Sequence, residues 1–300
     1  MRNCRISHVS QLCDVVSYTR DGREKGRYLD VYNGKLMFTV CLDRCMDISY
    51  FRYRGENVSF IAPCGINTEG DFDHTFCGGM LYTCGLESLG NRQGLPMHGS
   101  LHNIKATLQS VTCNEKEICI VGVVRDARLF GGNVVLQRKI CTTYMSGRVQ
   151  ISDTLLNEGY TDVNYALLYH INFGFPFLTE GATVSFQSEQ SRGRDDFAKQ
   201  NLAECKLVCA PTDLREQVFF HEVPKGCVQV KNSNQSRIAT VCYSAETLPC
   251  LVQWKSMVAG NYALGVEPST CFLDEEFAYK TLKSQDSKEF CVSIDVADLE

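Results

Sequence analysis

Apolar residues in this chain come in short runs that alternate with polar ones and are cut by Gly, Asn, Asp or Ser every several positions. That period of two predicts strands with one buried face, and long helical periods are nearly absent. Arg27 to Tyr32, then Asn33-Gly34, then Lys35 to Cys41 reads as a strand, a type I′ turn and a returning strand, because Asn-Gly tolerates the left-handed backbone such a turn needs. The same pattern predicts Asp47 to Tyr53 with Asn57 to Ile61 around Arg54-Gly55, and Val134 to Tyr144 with Arg148 to Leu155 around Ser146-Gly147. Gln217 to Glu222 with Cys227 to Lys231 reads as another such unit. The closing segments Ile238 to Tyr243, Leu251 to Met257, Tyr262 to Val266 and Glu289 to Ile294 continue the series. An all-β, antiparallel assembly with only short helices, one of them around Asp73 to Phe76, is the expected fold class.

No repeat, low-complexity tract or proline-rich linker divides the 300 residues, so one domain spanning 1–300 is expected. Large all-β sandwiches reach this size as one unit. The most polar segment, residues 189–200, reads as a surface loop.

Three places break the apolar pattern with a polar side chain where a core would use Val or Leu. These are Gly94-Leu-Pro-Met-His98-Gly99, Tyr165-Ala-Leu-Leu-Tyr-His170-Ile-Asn172, and Gln253-Trp254-Lys255 with Gly265-Val-Glu267-Pro268. A carboxylate after the apolar run Tyr262-Ala-Leu-Gly-Val must be paired, hydrogen-bonded or raised in pKa to be tolerated there. Such a group suits a general base; the alternative is a structural carboxylate that caps the turn begun by Pro268-Ser269-Thr270. His170 ends an apolar strand, where a satisfied core histidine is the ordinary alternative to a catalyst.

Net charge of −5 with 22% charged residues leaves no basic surplus for phosphates, so nucleic acid is not an expected partner. The polar N-terminus and the lack of any span-length apolar stretch predict no membrane partner and a cytoplasmic location. Seventeen cysteines, an odd number, none spaced Cys-x-x-Cys, are expected to be mostly reduced core residues.

Several segments together resemble the aldose 1-epimerase (galactose mutarotase-like) superfamily. They are Asp43-Arg44-Cys45-Met46-Asp47-Ile48, Thr83-Cys84-Gly85-Leu86, His98-Gly99, Tyr169-His170-Ile-Asn-Phe-Gly174-Phe-Pro176, Arg194-Asp195, Gln253-Trp254-Lys255 and Gly265-Val-Glu267-Pro268. The resemblance implies a large antiparallel β-sandwich, interconversion of sugar anomers by ring opening and closure, and no cofactor or metal. It implies Glu267 as general base, His170 as general acid, and His98, Arg44, Asp47, Asp195, Gln253 and Trp254 as residues that hold the sugar. Trp254 fits a core position as well. Cys45 stands where the resemblance expects Gly, and Ser100 where it expects Arg, a difference that bears on substrate choice. Asn91-Arg92 is similar to a substrate-holding pair of galactose mutarotases.

A small sugar is thus the expected partner, for a monomer or homodimer. The alternatives are a non-catalytic carbohydrate-binding protein on the same fold, a metal site on His98 and His102, and a lyase or glycosidase. Pro96 and Gly99 oppose the regular helix that an i, i+4 histidine pair requires. A glycosidase ordinarily needs two carboxylates, and the sequence offers no obvious second one.

Overall fold

The alternating pattern becomes three antiparallel sheets in the computed structural model, which describes residues 7–67, 69–213 and 215–299. The first sheet runs in chain order through Asp14–Arg20, Gly26–Tyr32, Leu36–Cys41, Asp47–Tyr53 and Glu56–Asn57. The second is ordered Thr183–Ser185, Cys227–Asn232, Arg237–Tyr243, Ser287–Asp298, Arg148–Asn157, Asn133–Thr142, Ile118–Ala127, Ala106–Cys113. The third is ordered Gln190–Gly193, Gln217–Glu222, Cys250–Val258, Asn261–Ser269, Val163–Gly174, Lys280–Leu282, and Tyr82–Leu86 also pairs with Val163–Gly174. Among the described residues the α-helices are Phe72–Thr75 and Asp196–Gln200, and no helix is long and apolar enough to cross a membrane.

The sandwich core lies between the second and third sheets and continues under the first. Ile120, Ile140, Ile151, Val241, Val292 and Ile294 meet Leu167, Tyr169, Ile171, Phe173, Leu264 and Val266 in one buried cluster. Each such aliphatic or aromatic side chain contributes about 1.5–3 kcal/mol on burial. Because side chains alternate across a strand, the odd positions of Val163–Gly174 fill this core and the even ones turn to the opposite face. That opposite face is also covered: Ala166, Leu168, Val218, Phe220 and Val252 pack with Tyr82, Cys84 and Phe272. The polar residues at even positions in the covered stretch, His170 and Asn172, are therefore buried too, and this places the site.

A charged network crosses the main core. Arg138, fully buried, donates to both oxygens of Asp153, to Asp47 Oδ1 at 3.0 Å and to the Cys45 carbonyl, and Tyr169 Oη donates to Asp153 Oδ2 at 2.8 Å. Buried charges survive only when paired and hydrogen-bonded in this way.

The observed elements differ from the expected ones in several respects. Asn33-Gly34 is not a type I′ turn: only Gly34 has positive φ, at 91°, while Asn33 Oδ1 accepts from the N–H groups of Lys35 and Leu36. The Asn33 amide is drawn instead to Thr142, Thr143 and Ser146 of the neighbouring hairpin. Gln217–Glu222 and Cys227–Asn232 are not paired; the chain leaves the third sheet after Glu222 and enters the second. Residues 189–200, expected as a loop, hold the strand Gln190–Gly193 and the helix Asp196–Gln200. Among the described cysteines, Cys119 and Cys141 face each other across paired strands as a disulfide and the others are free thiols.

Candidate active site

Val163–Gly174 and Asn261–Ser269 are antiparallel neighbours in a register with Ile171 opposite Val266 and Leu168 opposite Ser269. This alignment sets His170 beside Glu267 on the same sheet face, at the spacing where cross-strand side chains touch. His170 Nε2 lies 3.2 Å from Glu267 Oε1, close enough for proton transfer after a small rotation, although not aligned as a hydrogen bond. Gly265 makes room for the carboxylate, since a Cβ there would sit 2.4 Å from Glu267 Oε1.

Burial dominates the chemistry of this pair, with His170 4% and Glu267 1% exposed. Loss of hydration pushes the Glu267 carboxyl well above its ordinary range; the Glu216 carboxylate pushes the same way and Arg194 opposes it. The same loss holds the His170 imidazole well below its ordinary value, helped by His98 and opposed by Asn172. Both shifts favour uncharged forms. An imidazole and a carboxylic acid differ from imidazolium and carboxylate by the position of a single proton, so the pair can exchange these forms with no change in net charge.

His98 approaches from the loop before the 3-10 turn Leu101–Asn103, at a backbone position with φ 59°. Its N–H donates to the Gly90 carbonyl, its carbonyl accepts from Gly85 N–H, and its Nδ1 accepts from Gly90 N–H at 3.4 Å. Neutral His98 therefore carries its proton on Nε2. Burial, followed by Arg194, lowers its pKa to about 4. Gly99 is required by the tight approach, because a Cβ there would stand 2.2 Å from the Gly85 carbonyl oxygen.

These three residues line a cavity of about 830 Å³. Phe60, Phe72, Phe76 and Trp254 supply aromatic walls, with Phe76 and Trp254 ring centroids 5.2 and 5.6 Å from that of His170. Arg194 and Glu216 supply charge: Arg194 donates to Glu216 Oε1 at 3.2 Å, and Trp254 Nε1 donates to Glu216 Oε2 at 2.6 Å. Polar groups at fixed points in an apolar, aromatic cavity are suited to a small molecule having both hydroxyls and C–H surface.

The sequence matches the family model described as Domain of unknown function (DUF4432) over residues 23–293. The chain belongs to this DUF4432 family. Among solved structures it is similar to one described as a putative aldose 1-epimerase from Klebsiella pneumoniae, with TM-score 0.87, 22% identity, and coverage of 94% of this chain and 83% of that one. A galactose mutarotase-like protein from Clostridium acetobutylicum gives TM-score 0.71 at 12% identity, covering 95% of this chain and 99% of that one. Another from Lactobacillus casei gives 0.66 at 12% identity, covering 90% and 100%. At these identities the likeness establishes that the DUF4432 chain has the galactose mutarotase-like sandwich fold. No curated protein matches the sequence.

Of the residues expected to hold a sugar in this DUF4432 chain, His98 and Trp254 line the cavity with His170 and Glu267. The other four do not line it. Gln253 neighbours Trp254 in the strand and so faces the other way; its amide donates to the Cys205 carbonyl and its oxygen lies 3.0 Å from His221 Nε2. Asp47 accepts from Thr83 and Arg138, and burial raises its pKa to about 6. Arg44, 2% exposed, donates to the Asn67 carbonyl at 2.7 Å and lies over the Tyr82 ring. Asp195 caps the helix Asp196–Gln200 by accepting from Ala198 N–H.

Its neighbour Arg194 enters the cavity instead, and Glu216, Phe72 and Phe76 join from segments where the sequence pointed to no site residue. Asn91 lines the cavity while Arg92 turns away onto Phe277. Cys45, in place of the expected Gly, has φ 51°, a conformation glycine adopts most freely. His102 stacks on Tyr82 with ring centroids 4.5 Å apart, and no group of three or more candidate metal ligands occurs among the described residues.

Proposed function

We propose that this DUF4432 protein interconverts the anomers of a reducing sugar by general acid–base opening and closure of the hemiacetal ring. The observation that carries this reading is the buried His170–Glu267 pair, 3.2 Å apart on the floor of the cavity. With the shared proton on His170, the Glu267 carboxylate takes the proton from the anomeric hydroxyl while the His170 imidazolium gives one to the ring oxygen. The ring C–O bond breaks and an aldehyde forms. Rotation about the adjoining carbon–carbon bond followed by the reverse transfers closes the other anomer, so the enzyme ends in its starting protonation state. His98 Nε2–H is available to donate to a sugar oxygen, and Trp254 and Phe76 offer faces for its C–H groups.

The test follows exchange between anomers by NMR or optical rotation for a panel of hexoses and pentoses. Acceleration of at least one sugar is expected, with Glu267→Gln and His170→Asn each lowering the rate about 10²-fold or more while binding persists. A wild-type protein that binds a sugar and accelerates none would make it a carbohydrate-binding module on this fold.

A further inference from the structure

Within this buried site three polar atoms have no hydrogen-bond partner: Glu267 Oε1, which faces His170 Nε2, and the pair His170 Nδ1 and Asn172 Oδ1. The last two belong to residues two apart on one strand, hence on one face and roughly 6.6 Å apart along it, within the combined reach of their side chains. The carboxamide is already turned towards the histidine, because Asn172 Nδ2 donates to the His170 carbonyl oxygen at 3.0 Å. That bond fixes which end of the amide is nitrogen and leaves Oδ1 as the end free to accept. Asn172 is fully buried and does not line the cavity, so it does not meet the substrate. A buried acceptor and a buried ring nitrogen left unpaired side by side each cost stability, and one hydrogen bond satisfies both.

We infer that Asn172 is a positioning residue that fixes the tautomer of His170: Oδ1 accepts a proton from Nδ1–H, so that neutral His170 presents a bare Nε2 to Glu267. The direction of the bond follows from chemistry, since the carboxamide oxygen only accepts and Nδ1 must then donate. Its consequence falls on the transferred proton. With Nδ1 protonated, the 3.2 Å gap between Nε2 and Oε1 holds one proton, which is the arrangement the proposed ring opening needs. With the opposite tautomer, Nε2 already carries a proton and cannot take up the one held by the Glu267 carboxyl, so the pair cannot exchange it. An acceptor at Nδ1 also favours imidazolium, in keeping with the opposition of Asn172 to the lowering of the His170 pKa.

This inference rests on the anomer-exchange reading for its kinetic consequence, but its structural half is testable without activity. The first arm records ¹⁵N chemical shifts of the His170 ring in ¹⁵N-histidine-labelled protein at neutral pH, with His170→Asn identifying the signals. Wild type should show protonated Nδ1 and bare Nε2. Asn172→Leu, similar in size and lacking the acceptor, should shift the population towards Nε2–H, and Asn172→Asp should restore Nδ1–H. The second arm is kinetic: Asn172→Leu should lower kcat about tenfold or more with KM little changed, and Asn172→Asp should recover part of the loss and move the acid limb of the pH profile upward. A wild-type His170 protonated at Nε2, or an Asn172→Leu protein with an unchanged tautomer, would overturn the inference whatever the rates. If the tautomers behave as stated and no sugar is accelerated, the inference about Asn172 stands and the mutarotase reading fails.

Discussion

Gly265→Ala probes the placement of the carboxylate without touching a polar group. The φ of Gly265 is not positive, so the backbone accepts alanine. The added Cβ would lie 2.4 Å from Glu267 Oε1 and 3.0 Å from Trp254 Cβ. Reaching ordinary contact, which begins near 3.4 Å, needs the carboxylate to retreat by about 1 Å. Most of the strain falls on the far end of a flexible side chain, so the stability loss should stay near the low end of the roughly 1–3 kcal/mol expected for overpacking. A shift of about 1 Å in a reacting group costs on the order of 10²-fold in rate. Gly265→Ala should therefore keep its fold and lose about two orders of magnitude in anomer exchange. Thermal unfolding and NMR exchange on the same preparation separate the two effects. A variant with wild-type rate would refute the reasoning, because it would mean either that the Glu267 position is irrelevant or that the site relaxes at no cost.

Three further outcomes follow from the buried charges. Glu267 has a folded pKa raised well above 4.5, so it holds a proton that the unfolded chain releases, and the stability it contributes is lost as pH rises above about 4.5. Glu267→Gln should accordingly gain melting temperature relative to wild type as pH increases, and a constant difference across pH would contradict the shift. His221 is held down to about 4 from 6.5 by burial, between Ser191 and Gln253. Relative to His221→Gln, wild type should lose about 1.4 kcal/mol per pH unit as pH falls from 6.5 to about 4, read by urea unfolding. Arg138→Met leaves Asp153 and Asp47 without their cation in the core and should cost about 3–5 kcal/mol by urea unfolding; a loss below about 1 kcal/mol would show that the buried carboxyls do not depend on this cation.

The strands, their amphipathic faces and the polar exceptions His98, His170 and Glu267 were legible from the chain, because alternation is a local property and a polar residue in an apolar run is visible without a fold. Pairing was less so. Gln217–Glu222 and Cys227–Asn232 have the sequence of a hairpin, yet each finds its partners in a different sheet, a choice made by long-range packing. Which polar residues face the cavity was also beyond the pattern, since a one-residue change of parity sends Trp254 to the site and Gln253 to the opposite face. Arg44 and Asp47 share a segment with the expected sugar contacts, but the Tyr82 ring and the Arg138 guanidinium, both distant in sequence, take up their charges. The cavity itself required segments from residue 23 to residue 273 to converge. The sequence by itself determined the class of fold and the titratable pair; only the tertiary structure decided the register that brings His170 to Glu267 and the burial that keeps both uncharged, because desolvation depends on what covers a group rather than on its neighbours in the chain.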